Sequence, residues 1–316
     1  MTIENHSAPV SYPPGIQTID GAAYFVEPDC VSLCGLTDCL AEKDGQLLYF
    51  TEDSSLKRFD AGFVDIDGDL YYAPEDGYAL CAAREQVLQI GDALYAFDED
   101  CRVMTLTAGV QELFGSLYCV QNDGEAILLA QEGPLLTDDG LYYANGDGTL
   151  AANFTFGYLY FGADGRYTSG SETLDAQIEE VLTQAKAGGF EPIEAFRLCY
   201  DYIRDHYRYL SMEHYPAGTD DWAQSSAESF FALGKGNCYS WAAAQMYCAR
   251  RLGIQAYCVA GWEDNRSNDH AWVMAEIGGA AYLFDAELEY ALDEPADMFM
   301  AVSDGSTYNG FTYFFP

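Results

Sequence analysis

A repeat runs through the first half of the chain and limits what it can fold into. Tyr24, Tyr49, Tyr71, Tyr95, Tyr118, Tyr142 and Tyr160 follow one another at spacings of 25, 22, 24, 23, 24 and 18 residues. Around each tyrosine lie a glycine or Asp-Gly, an aromatic or small neighbour, and an acidic turn such as Glu75-Asp76-Gly77 or Asn145-Gly146-Asp147-Gly148. Period-two aromatic patterning broken by such turns marks short strands, and a regular period marks a repeat architecture. A lone hairpin is marginal in water, so the units must stack and share aromatic cores. The expectation is an all-β array of stacked hairpins over residues 15–168, elongated and separate from the C-terminal half, with the tyrosines buried between consecutive hairpins. The acidic run Asp65-Ile66-Asp67-Gly68-Asp69 resembles a calcium loop but fails the EF-hand pattern, because Leu70 holds the glycine position. Ordinary turn chemistry accounts for it.

Between Gly165 and Ser171 the pattern changes. Leu174, Ile178, Val181 and Leu182 recur at helical spacing and are stopped by Gly188-Gly189; Phe196, Cys199, Tyr200 and Ile203 mark a second helix. The fold class expected is α+β: a polar linker at 1–14, the hairpin module at 15–168, and a mixed domain at 169–316.

That second domain carries the chemistry. Cys238 follows Gly236-Asn237, His270 comes 32 residues later and Asp285 another 15. Ala242, Met246, Ala249 and Leu252 predict a helix over 238–252, with Asn237 as N-cap and Gly253 as its stop. Cys238 then falls in the first turn, where unpaired N–H groups and the positive end of the helix dipole favour a negatively charged sulfur. The same N–H groups can hold an oxyanion. Residues 272–277 and 281–284 read as strands about Gly278-Gly279, a hairpin signal. A symmetric two-residue turn sets Asp285 opposite Trp272 and diagonally beside His270. Glu287 would face His270 directly if the strands ran on, which makes it the rival partner for the imidazole.

These motifs resemble the transglutaminase-like superfamily, with supporting matches at Ala195–Tyr209, Ala249-Arg250-Arg251-Leu252-Gly253-Ile254 and Val259-Ala260-Gly261-Trp262. The resemblance covers about 172–316. It implies a papain-like fold with Cys238 as nucleophile, His270 as base and Asp285 as orienter, and thiol acyl transfer on an amide or peptide bond through a thioester. No cofactor is expected, and no metal, because beyond Cys30, Cys34 and Cys39 no pair of ligands has the close spacing of a zinc site. Water as the resolving group gives a cysteine protease or amidase; an amine gives a crosslinking transglutaminase. The oxyanion is expected to meet the Cys238 N–H and one side chain, with Trp222, Gln224 and Tyr209 as candidates. The hairpin half resembles the choline-binding type of bacterial cell-wall repeat, which implies a cell-surface or secreted protein and a polysaccharide or glycan partner. All four tryptophans, however, lie beyond residue 200. A non-catalytic wall-binding protein is the alternative of another class.

The charge excludes some partners. With 51 acidic and 14 basic residues the formal charge is −37, so nucleic acid and anionic membrane surfaces repel the chain. No apolar run reaches 18 residues, so no spanning helix is expected. The start, MTIENHSAPVSYPPG, shows neither a basic segment nor an apolar core of a signal peptide. The ten cysteines form no tight framework; Cys30, Cys34 and Cys39 come close together but lack a fourth zinc ligand.

Overall fold

The computed structural model describes residues 4–5, 8–9, 11–29, 32–124, 126–263, 269–292, 297–305 and 307–316. Residues 1–3, 6–7 and 10 of the expected linker and Cys30 of the cysteine cluster lie outside them. The chain is α+β, with small antiparallel hairpins first and a helix-containing region after them. By compactness it divides into two units, Met1–Leu129 and Ala130–Pro316. The change from hairpins to helices comes later, at Glu172. The hairpins at 133–161 therefore group with the helices.

Among the described residues of the first unit, a short antiparallel pairing of Glu4–Asn5 with Ala8–Pro9 is followed by five hairpins of five-residue strands. Their strands are Gly15–Ile19 with Ala22–Val26, Cys39–Lys43 with Gln46–Phe50, Gly62–Ile66 with Asp69–Ala73, Gln86–Ile90 with Ala93–Phe97, and Gly109–Leu113 with Ser116–Val120. Asp-Gly pairs at Asp20-Gly21, Asp44-Gly45 and Asp67-Gly68 turn three of them, with positive φ at both residues. This is the primed turn that matches strand twist. The acidic run at 65–69 is such a turn, with Gly68 N donating to Asp65 Oδ1 at 3.2 Å.

Each expected tyrosine sits on the second strand of its hairpin, but burial follows a different residue. Val26, Phe50, Ala73, Phe97, Val120 and Ala144, which close the second strands, are all buried; they recur every 24, 23, 24, 23 and 24 residues. Of the tyrosines only Tyr71 and Tyr142 are buried, and Tyr160 is 44% exposed. The expectation of buried anchors is corrected accordingly. A phenol keeps its polar end at a wet edge, as Tyr49 does in donating to Asp38 Oδ1 at 2.9 Å. Consecutive hairpins share cores through the intervening apolar positions: Ala23, Phe25, Leu48 and Phe50 form one cluster, and Leu94, Ala96, Leu113 and Val120 another.

In the second unit, hairpins Gly133–Thr137 with Gly140–Ala144 and Phe154–Phe156 with Leu159–Phe161 precede the helices. The helices are α1 (Glu172–Gln184), α2 (Pro192–His206), α3 (Ala223–Leu233), α4 (Cys238–Arg251) and α5 (Ala286–Ala291). A four-stranded antiparallel sheet runs in the order Ala280–Phe284, Asp269–Ile277, Ala256–Glu263, Tyr313–Phe314. Helix α4 is buried from Cys238 through Ala249 and forms the centre of the main core. The last hairpin joins the same body: Tyr158 N donates to Gln255 Oε1 at 2.8 Å, and the Arg250 guanidinium lies 5.1 Å from the Tyr158 ring.

One expected boundary moves. The second helix ends at His206, short of the end of the matching segment Ala195–Tyr209, because Tyr207 is extended and Arg208–Tyr209 pairs in parallel with Lys235–Gly236. The segment before Cys238 is thereby tied to the segment after α2. The hairpin about Gly278-Gly279 has the anticipated register, with Val273 opposite Phe284 and Ile277 opposite Ala280.

Candidate active site

Cys238 opens α4, and Asn237 caps it by accepting from Ser240 N at 3.3 Å. Asn237 Nδ2 also donates to the Glu213 carbonyl at 3.1 Å, anchoring the loop before α3 to the helix start. With Ser240 N bonded to the cap and Trp241 N to the Asn237 carbonyl, the N–H groups of Cys238 and Tyr239 are the first-turn donors without an intrahelical acceptor.

His270 lies on the strand Asp269–Ile277, opposite Gly261. Asp285 follows the strand Ala280–Phe284 and caps α5, its Oδ1 accepting from Leu288 N at 2.9 Å. The register sets the two side chains together: His270 Nε2 is 2.6 Å from Asp285 Oδ2, with both residues buried. Asp285 Oδ2 also accepts from the Tyr313 hydroxyl at 2.8 Å. Strand pairing does not continue past Phe284, so Glu287 does not face His270 across a ladder. It reaches the ring from the first turn of α5 instead, with Oε2 3.8 Å from Nδ1.

The charges around the ring follow from this geometry. Burial pulls the His270 pKa down, but the Asp285 carboxylate, through charge and hydrogen bond, and the Cys238 sulfur, through weaker effects of the same kinds, raise it to about 10. Burial opposes ionisation of Asp285, and the imidazolium, the Leu288 N–H and the Tyr313 hydroxyl still hold its pKa below the usual carboxylate value. The structure thus brings a thiol, an imidazole and a carboxylate into one buried group. Such a group can hold a thiolate–imidazolium pair. His270, Asp285 and Glu287 also bring donor atoms within 4.8 Å of one another, a spacing that could hold a metal ion.

The three oxyanion candidates fall in different places. Trp222 is buried at the start of α3, with Nε1 donating to the Thr219 carbonyl at 2.8 Å and its ring stacked on Tyr215. Gln224 is exposed on α3, with Nε2 donating to Glu228 Oε1 at 3.3 Å. Tyr209 pairs with Gly236, two residues before Cys238. Tyr313 was not among the sequence candidates. It lies 28 residues beyond Asp285, on a two-residue strand whose only sequence signal is a cluster of aromatics.

Residues 166–285 match the family model described as the transglutaminase-like superfamily. No curated protein matches the sequence. Among solved structures, choline binding protein F from Streptococcus pneumoniae, crystallised with a peptidoglycan analogue, is similar at 17% identity and a TM-score of 0.34, over 50% of this chain and 47% of that one. CbpJ from Streptococcus pneumoniae is similar at 14% identity and a TM-score of 0.31, over 49% and 48%. A structure described as a TGase is similar at 13% identity and a TM-score of 0.30, over 42% and 35%. The chain spans about half the length of the first of these structures. No helix among the described residues is long and apolar enough to cross a membrane. The thiol-bearing helix, the histidine strand and the aspartate thus all stand inside the segment, residues 166–285, that matches the transglutaminase-like superfamily model.

Proposed function

We propose that residues 169–316 are a catalytic domain that cleaves an amide or peptide bond through a thioester on Cys238. The observation that carries this is the buried His270–Asp285 contact at 2.6 Å, beside a cysteine at a helix start. The Cys238 thiolate attacks the carbonyl carbon, and the C–N bond breaks as His270 gives its proton to the departing amine. Water, deprotonated by His270, then opens the thioester and restores the thiol. Asp285 holds the imidazole in orientation and stabilises its charge. The oxyanion meets the Cys238 N–H; of the three side chains, Tyr209 is the one carried on a strand paired with Gly236, two residues before Cys238.

Residues 15–168 form, in this proposal, a hairpin module that binds a cell-surface polysaccharide, and the protein works at the cell surface or after secretion. Phe63 is 41% exposed and lies 4.7 Å from Tyr95 and 5.3 Å from Tyr72, and such grouped rings offer faces to sugars or quaternary ammonium groups. The test is Cys238→Ala in the full chain, which is expected to abolish release of amine from peptide substrates while binding to purified wall polysaccharide persists. Incorporation of a labelled primary amine in place of hydrolysis would identify a crosslinking enzyme. Unchanged turnover in Cys238→Ala would overturn the assignment.

A further inference from the structure

We propose that Tyr313 is a positioning residue of the acyl-transfer centre, fixing Asp285 in line with His270; this rests on Cys238, His270 and Asp285 acting as that centre. The carboxylate of Asp285 receives three donors. Oδ2 accepts from His270 Nε2 at 2.6 Å and from the Tyr313 hydroxyl at 2.8 Å, and Oδ1 accepts from Leu288 N at 2.9 Å. His270 and Leu288 place one donor on each oxygen; the Tyr313 hydroxyl adds a second donor to Oδ2, the oxygen that meets the imidazole, and so fixes where that oxygen stands relative to the ring. Tyr313 is itself fixed: it is 7% exposed, its ring lies 4.9 Å from Trp272 and 5.8 Å from Tyr308, and its strand pairs with Ala256–Glu263.

The hydroxyl can serve only as a donor there. Burial and then the charge of Asp285 push the Tyr313 pKa well above the tyrosine range, so its proton stays in the contact. A donor on Oδ2 shares the carboxylate's charge and tempers its hold on the imidazolium. The other ionisable groups facing this pair are Cys238 from α4, Glu287 from α5, Tyr200 from α2 and Glu263 from the neighbouring strand. All four remain in place when only the Tyr313 oxygen is removed.

Tyr313→Phe in the full chain tests this, because it keeps the ring and deletes one oxygen. The readouts are the rate of Cys238 alkylation by iodoacetamide across pH and the NMR titration of the His270 ring. The expected results are an upward move of the His270 midpoint and of the alkaline limb of alkylation, and a plateau rate about tenfold lower. Both changes should vanish when Tyr313→Phe is placed in an Asp285→Asn background. Superimposable profiles for wild type and Tyr313→Phe would overturn the proposal, as would an equal change in the Asp285→Asn background. Failure of the underlying catalytic assignment looks different: wild-type Cys238 would alkylate no faster than buried Cys199. The His270 midpoint still reports on Tyr313 in that case, and an unmoved midpoint refutes the positioning role by itself.

Discussion

Replacing Asp285 by asparagine keeps the shape of the side chain and removes its charge. In the wild type the imidazolium of His270 persists to about pH 10, against an ordinary value of 6.5. At about 1.36 kcal/mol per pH unit, that difference is on the order of 5 kcal/mol in favour of the protonated ring. Burial alone pushes the other way, so without the carboxylate the midpoint should fall to 6.5 or lower. At pH 8 a ring titrating at 6.5 is protonated in roughly 3% of molecules, which predicts a loss of about thirtyfold or more in Cys238 alkylation and in turnover. The alkaline limb should move from near 10 to below about 7. The same pair shapes stability. A histidine with a raised pKa contributes fully below pH 6.5, and its contribution is lost as pH rises toward 10. Asp285, with a lowered pKa, contributes above about 4 and loses that contribution as pH falls further. Thermal unfolding of the wild type should therefore decline on both sides of a plateau, and Asp285→Asn should flatten both limbs. An alkaline limb that stays near pH 10 in Asp285→Asn would refute the reasoning and assign the proton to Glu287, whose Oε2 is 3.8 Å from Nδ1.

Two further outcomes rest on burial. Phe97 is fully buried and Tyr95, two residues earlier, only partly so; Phe97→Ala should destabilise the hairpin unit by about 3–5 kcal/mol in urea unfolding, well beyond the effect of Tyr95→Ala. Cys248 should resist alkylation in native protein and yield only after unfolding, read by intact mass, because its hydrogen bond with Cys199 and its burial raise its pKa well above the thiol range.

What could be read from the sequence divides along contact distance. The pairing of Asp285 with His270 was legible because Gly278 and Gly279, at φ values of 61° and 81°, turn the chain in two residues and fix the register locally. Asn237, Cys238 and Gly253 bounded α4 for similar reasons. Glu287 was misplaced because the pattern was extended as strand. Asp285-Ala286-Glu287-Leu288-Glu289 is instead an N-cap and acids in a first helical turn, a signal present in the sequence. The tyrosines revealed the period of the hairpins but not their burial, since rings with a polar end drift outward while Val26, Phe50 and Ala73 stay inside. Tyr313 could not be found from local pattern, because its partner Asp285 caps α5, 28 residues earlier, and its strand packs beside Gly261. A Cβ there would lie 2.4 Å from the Phe314 carbonyl oxygen and 2.7 Å from the Trp272 ring.

The dependence on Tyr313 also sets an order of events during synthesis. Each hairpin pairs residues close in sequence and can form while the chain is still emerging. The proposed acyl-transfer centre is non-local: His270 waits 15 residues for Asp285, which waits another 28 for the tyrosine that holds it. A nascent chain that has reached Cys238 but not Tyr313 carries its nucleophile without a fixed partner. On the proposed reading, the sulfur reaches its full reactivity only once the strand beside Gly261 is in place.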